Sequence, residues 1–317
     1  MTSFGDCGLA VGHGTDVAGA TGCTIVRGIE GPFRAAAHVA GRASATRELA
    51  LLEPGALVDR VDAILLTGGS AYGLDAAAGA MRWLEERGRG FPVGDGVVPI
   101  VPAAALFDLS PLGRFDARPD AAMVYDACER ATAADVEEGA VGAGTGATVG
   151  KAAGPASSMK GGIGCGSADD GTLSVRALAV VNALGDVRDD GGRIVAGARG
   201  TDGSFLDCAA ILGRGADNAP RFDALAGRNT TLCLVSCNAA LDRVQLASVA
   251  RAAAAALYRR ITPAGTSYDG DVIFATSPMA AALRVAPTRV EALSVLALER
   301  AIEHAVTTSN PTPILQR

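Results

Sequence analysis

The chain has 317 residues, 49% of them hydrophobic but only 4% aromatic, so its core is built from Ala, Val, Leu and Ile rather than from rings. At about 150 residues per domain this length gives two domains or one large layered one, and so much apolar surface excludes a disordered chain. The net charge of −6, from 28 Lys and Arg against 34 Asp and Glu, comes without a basic stripe, which excludes a nucleic-acid partner that needs clustered cations to displace counterions.

In chain order, residues 1–12 carry Asp6 and neither a cationic nor an apolar leader region, so they do not read as a signal peptide. No window reaches about 18 uninterrupted apolar residues, so no membrane span is expected, and the expected location is the cytoplasm. Residues 61–66 form a short apolar run halted by Thr67-Gly-Gly69, the pattern of a buried strand. Residues 74–87 place Leu74, Ala77, Met81 and Leu84 on one helical face, with Gly88 as the stop. Residues 97–101 read as a strand interrupted by Pro99, and residues 121–134 as a helix. A Gly-rich passage over 139–171 carries Lys151 and Lys160; residues 173–181 then read as a strand that ends in Asn182. Residues 185–229, dense in Gly and Asp, read as loops and a mobile linker ending at residues 225–229. Order resumes with a strand over 230–236, an Ala-rich helix capped by Asn238 and running to Arg260, a strand over 271–276, and a last helix from Pro287 to about Val306. Strands mixed with helices without strict alternation predict a layered α/β sandwich.

Seven cysteines (7, 23, 128, 165, 208, 233 and 237) form no Cys-x-x-Cys pair and have no histidine placed to complete a zinc site. They read as buried small hydrophobes in a reducing compartment, and no metal is expected. The stretch Gly142-Ala-Gly-Thr-Gly-Ala-Thr-Val-Gly-Lys151 resembles a phosphate-binding loop, but Thr145 stands at the first glycine and Ala152 where a magnesium-binding hydroxyl belongs. It also fits G-x-G-x-x-A, yet Asp135-Val-Glu-Glu-Gly139 before it is no hydrophobic strand. Gly68-Gly-Ser-Ala-Tyr72 is close to a nucleophile elbow with Tyr72 in place of the last glycine, and His13, His38 and His304 offer it no evident partner. Asn229-Thr230-Thr231 matches a glycosylation sequon, but without a secretory leader its plain reading is the start of a strand.

The last two polar segments make chemical sense together. In extended chain, Asp269 and Asp271 of Tyr268-Asp-Gly-Asp-Val project to one face. Two carboxylates in a sheet need a cation. Lys151 is one candidate; the other is the α-ammonium created if the chain is cut between Asn229 and Thr230. Such an amine has a reference pKa of about 7.7–8 and can act as a base near neutrality, so a leading threonine carries nucleophile and base in one residue. This chemistry needs no histidine, metal or organic cofactor.

These segments, with Thr15-Asp16, Thr21-Gly-Cys-Thr24, Leu66-Thr-Gly-Gly-Ser-Ala-Tyr-Gly-Leu-Asp75 and Met159-Lys-Gly-Gly162, resemble the L-aminopeptidase/D-amidase-esterase family over nearly the whole chain. That family also holds β-aminopeptidases and nylon-oligomer hydrolases. The resemblance implies a single αββα layered sandwich over residues 1–317, of the ornithine-acetyltransferase/aminopeptidase type. It implies self-cleavage into an α-chain of residues 1–229 and a β-chain of residues 230–317, with Thr230 as nucleophile. It further implies Lys151 beside the nucleophile, Asn182 in the oxyanion hole, Asp269 and Asp271 orienting Thr230, small peptide or amide substrates, and a homo-oligomer, commonly a tetramer. One departure is Phe107, where several relatives carry a tyrosine held to donate to the oxyanion. Three functions are therefore open at this point: a self-processing amide hydrolase, a binding relative with impaired turnover, and a nucleotide binder using residues 142–151.

Overall fold

The computed structural model describes residues 2–214 and 228–310. Ten strands build its two main sheets: β1 (Leu9–Asp16), β2 (Thr21–Gly28), β3 (Phe33–Val39), β4 (Ala45–Arg47), β5 (Ala63–Thr67), β6 (Ala103–Ala105), β7 (Gly162–Asp170), β8 (Leu173–Asn182), β9 (Thr230–Cys237) and β10 (Val272–Pro278). Among the described residues the four longest helices are α1 (Ala77–Glu85), α2 (Ala121–Arg130), α3 (Arg243–Arg260) and α4 (Pro287–Ser309).

Side-chain alternation sorts the sheets into layers. Along β9, Leu232 and Leu234 face an apolar layer shared with Val26, Ile64 and Leu66 of the other sheet. Their neighbours Cys233 and Val235 face the opposite way, onto Leu246 and Ala250 of α3 and Leu298 and Ile302 of α4. The outer side of the first sheet, with Ile25, Ala63 and Leu65, is covered by Ala77, Ala80 and Leu84 of α1 and Val124 and Ala127 of α2. The result is the expected helix–sheet–sheet–helix order. The first sheet runs β1-β2-β5-β6-β4 and the second β7-β8-β9-β10-β3. Each contains one parallel pair, β5 with β6 and β9 with β10; parallel neighbours need a crossover, which α1 and α3 supply.

The second sheet has a feature that composition alone obscures. Gly162, Gly164 and Gly166 line one face of β7, and a Cβ on any of them would lie 2.1–2.5 Å from backbone atoms of Ala297, Ala301 or Ala305 in α4 or from the Ser309 hydroxyl. The glycines and the alanine stripe of α4 together allow the helix backbone to lie against the sheet. No described helix is long and apolar enough to cross a membrane.

Several boundaries move. The helix predicted over 74–87 begins as a 3-10 turn, Ser70–Ala76, before α1. The strand predicted over 97–101 is Gly96–Val98, in a hairpin with Phe91–Val93; it stops before Pro99, which has no N–H to give. The cap of α3 is Asp242 rather than Asn238: the Asp242 carboxylate accepts from Gln245 N while the Gln245 side chain accepts from Asp242 N, a complete capping box. Residues 185–229 are not all loop, since they include strands Asp186–Arg188 and Ile194–Ala196 and the short helix Cys208–Gly213. The mobile linker expected to end at 225–229 lies mostly outside the described residues; Arg228 and Asn229 lie within them, and Asn229 forms a parallel bridge to Asp269. All seven cysteines are buried free thiols.

Candidate active site

Strand pairing assembles the site. Thr230 is the first residue of β9, the fully buried central strand of its sheet, and stands opposite Asn182, the last residue of β8. Only 3% of Thr230 is exposed. Its hydroxyl donates to the carbonyl oxygen of Asn229 at 2.6 Å, so the side-chain oxygen lies against the peptide carbonyl that precedes it.

Lys151 sits at the end of the Gly-rich passage and is buried. Its ammonium donates to Asn182 O at 3.1 Å, Asn182 Oδ1 at 2.8 Å and Arg228 O at 3.0 Å, which uses all three of its protons. The Asn182 amide has its orientation fixed by this network. Oδ1 also accepts from Thr148 N at 3.0 Å, while Nδ2 donates to Phe107 O at 2.9 Å and Arg228 O at 3.2 Å. Burial brings Lys151 down to about 7, against the opposing pull of Asp269 and Asp271.

The two aspartates flank Gly270 in a segment clasped by residues 40–43. Ala40 N and Gly41 N donate to Asp271 O at 2.9 and 3.1 Å, and Arg42 N and Ala43 N to Asp269 O at 2.8 and 3.0 Å. Asp271 Oδ1 accepts from Thr231 N at 2.6 Å; Asp269 Oδ2 accepts from the amide and the hydroxyl of Thr266, both at 2.8 Å. Burial pushes Asp271 up to about 7, helped by the charge of Asp269. Asp269 is raised by burial, while Thr266 and Lys151 hold it back. Lys151 and the aspartates are thus one buried electrostatic cluster.

All six residues singled out in the sequence (Asn229, Thr230, Lys151, Asn182, Asp269 and Asp271) meet in this region. Among the described residues no hydrogen bond joins Lys151, Asp269 or Asp271 directly to the Thr230 hydroxyl. The aspartates hold Thr231 and Thr266 instead, so their influence on Thr230 passes through the backbone and the field. Sequence reading missed Thr148, Thr266, Gly270, Arg228 and the clasp at 40–43, which act mainly through backbone groups that carry no side-chain signal. Phe107 contributes its carbonyl to Asn182, and Arg228 stacks over its ring at 5.6 Å.

The nucleotide reading of residues 142–151 loses its physical basis. The amides of Gly142 and Ala143 bond Thr15 and Thr24 hydroxyls, Thr148 N bonds Asn182, and Gly150 N and Lys151 N bond Gly185 and Leu184 carbonyls. The loop's donors and its lysine are committed internally rather than turned to a phosphate. Lys160 braces the same loop through the carbonyls of Gly144, Ala147 and Gly161.

Comparisons with known proteins place the chain in a family. A family profile described as peptidase family S58 matches residues 6–314. The chain is 41% identical over 258 residues to an uncharacterized aminopeptidase of Mycobacterium tuberculosis, covering 77% of this chain and 69% of that protein. It is 30% identical over 291 residues to a 6-aminohexanoate-oligomer endohydrolase of Agromyces sp., covering 87% and 75%. An L-aminopeptidase D-Ala-esterase/amidase from Ochrobactrum anthropi, described as a variant of the Ntn hydrolase fold, superposes with a TM-score of 0.66 at 20% identity over 94% of this chain and 83% of its own. That last likeness is one of fold; the sequence matches extend it to lineage and chemistry, and the chain is a hydrolase that belongs to peptidase family S58.

Proposed function

We propose that this hydrolase cuts its own chain between Asn229 and Thr230 and then uses Thr230 as an N-terminal nucleophile toward small amides and peptides. The observation that carries the reading is the 2.6 Å contact between the Thr230 hydroxyl and the Asn229 carbonyl oxygen, at the buried head of β9. Self-cleavage is an N-to-O acyl shift. The bond from Oγ1 to the Asn229 carbonyl carbon forms, the C–N bond breaks, and the hydroxyl proton passes to the departing nitrogen. Water then splits the ester, leaving an Asn229 carboxylate and a restored Thr230 hydroxyl.

The new amine starts from a reference pKa of about 7.7–8. Burial lowers that value, and Lys151 in the same cluster lowers it further by like charge whenever it holds its proton, so the amine is a free base near neutrality and takes the hydroxyl proton as Thr230 attacks a substrate amide. Departure of the cut end removes Arg228 O from Asn182 Nδ2, which frees a donor for the substrate's oxyanion. The amide C–N bond then breaks, the substrate's amine leaves with the proton held by the Thr230 nitrogen, and water hydrolyses the remaining acyl-enzyme to release the acid and restore the hydroxyl. Asp269 and Asp271 balance Lys151 and hold the head of the strand. The same reading has the enzyme act as a homo-oligomer, a tetramer, which light scattering tests.

Intact mass spectrometry of purified protein tests the central claim. Fragments 1–229 and 230–317 are expected from the wild type, and one whole, inactive chain from Thr230→Ala. A wild type that turns over amino-acid amides while still whole would refute the nucleophile assignment. A second reading, a binding relative with impaired turnover, rests on Phe107, whose ring has no proton to donate; it requires that the cut protein bind such amides without hydrolysing them.

A further inference from the structure

The donor that would stabilise the oxyanion of self-cleavage is not Asn182. Attack by Thr230 on Asn229 turns the Asn229 carbonyl oxygen into an oxyanion, and Asn182 Nδ2 is committed elsewhere, to Phe107 O and Arg228 O. The Asn229 oxygen instead accepts from Gly270 N at 2.8 Å. That bond continues the parallel β9–β10 ladder by one rung: Asn229 bridges Asp269 with the same 40-residue offset as Leu232 with Val272.

The Gly270 amide is also unusually well fixed. The carbonyls on both sides of it are held by four N–H groups of residues 40–43. A Cβ at residue 270 would lie 2.7 Å from Ala43 O and 2.8 Å from Thr230 Oγ1. Only glycine lets the clasp, the N–H and the nucleophile close around one point. A donor held before charge develops needs no reorganisation when it develops, which is what oxyanion stabilisation requires.

We infer that the backbone N–H of Gly270 is the oxyanion donor for cleavage of the Asn229–Thr230 bond, and that Asn182 takes this role only in turnover, after Arg228 has left. The inference rests on the self-cleavage proposed above. It assigns two donors to two reactions at one nucleophile, so the two rates respond separately to loss of either.

The test removes the N–H alone. Full-length chain is made by cell-free translation with glycolic acid at position 270, turning the Asp269–Gly270 amide into an ester. A control chain carries the same ester at position 41, which removes the Gly41 N–H to Asp271 O from the same clasp without touching the scissile carbonyl. Melting of both in the Thr230→Ala background checks that they fold. Processing is followed by mass, and turnover of an amino-acid amide is measured per cut molecule. The 270 ester is expected to slow processing by about 100- to 1,000-fold, the loss typical of one oxyanion donor. Its kcat after cutting should stay within a few-fold of wild type, and the 41 ester should process within about tenfold of it. Processing of the 270 ester at the wild-type rate overturns the assignment. So do equal slowing by both esters and a parallel fall in processing and kcat, because each marks a loosened segment rather than a lost donor. A wild type that never cuts is distinct from all of these: it removes the reaction itself, and with it this assignment.

Discussion

Replacing Lys151 with Met probes the charge cluster that everything else surrounds. The variant is best compared with its parent in the Thr230→Ala background, so that both chains stay whole. The methionine fills most of the lysine's volume but removes the cation facing Asp269 and Asp271 and leaves the Asn182 and Arg228 carbonyls without that donor. Breaking a buried pair this way costs about 3–5 kcal/mol. The cost depends on pH, and its sign follows from the shifted groups. In the parent, Lys151 has its folded value lowered to about 7. Above that pH the unfolded chain holds a proton the native one lacks, and stability rises. The variant lacks that rise, having no such group in either state, while Asp271, raised to about 7 by burial and the charge of Asp269, titrates in both chains. One proton, worth about 1.36 kcal/mol per pH unit, over the two units from pH 7 to pH 9 sets a ceiling of about 3 kcal/mol on the growth of the deficit. At about 2–4 °C per kcal/mol, thermal melts followed by circular dichroism should show a deficit larger at pH 9 than at pH 7 by about 5–10 °C. A deficit that is constant across that range, or largest in acid, would refute the shared-charge account.

Three other substitutions read separate parts of the architecture. Asn182→Ala should lower kcat per cut molecule by about 100- to 1,000-fold with a smaller change in KM, since it removes the turnover oxyanion donor; an unchanged kcat would exclude that role. Gly41→Ala places a Cβ 2.4 Å from both Asp269 O and Asp271 N. Because these are backbone atoms, it should cost about 1–3 kcal/mol and slow self-cleavage, whereas a stable variant processing normally would show that the clasp is not needed. Asp242→Ala removes the capping box of α3 and should cost about 1 kcal/mol, seen as a small drop in melting temperature with amide turnover unaffected.

The signals legible along the chain are local. The apolar alternation of β9, the periodicity of α1, Pro287 opening α4, and the polar groups Asn229-Thr230 and Asp269-Gly-Asp271 each lie within a few residues. Lys151 pairs with them as the cation those carboxylates need, whereas the role of Asn182 comes from the family resemblance. Strand β7 was hidden because Gly162, Gly164 and Gly166 remove the side chains that announce a strand, and the reason for them lies in α4, more than 130 residues away. Folding in three dimensions sets Asn182 opposite Thr230 across a strand pair, turns the protons of Lys151 to Asn182 and Arg228, and has residues 40–43 lock Asp269-Gly270-Asp271 in place. Those contacts are made mostly by backbone N–H and C=O groups, which every residue carries alike, so their partners are chosen by the packing of sheets and not by any pattern of side chains along the chain.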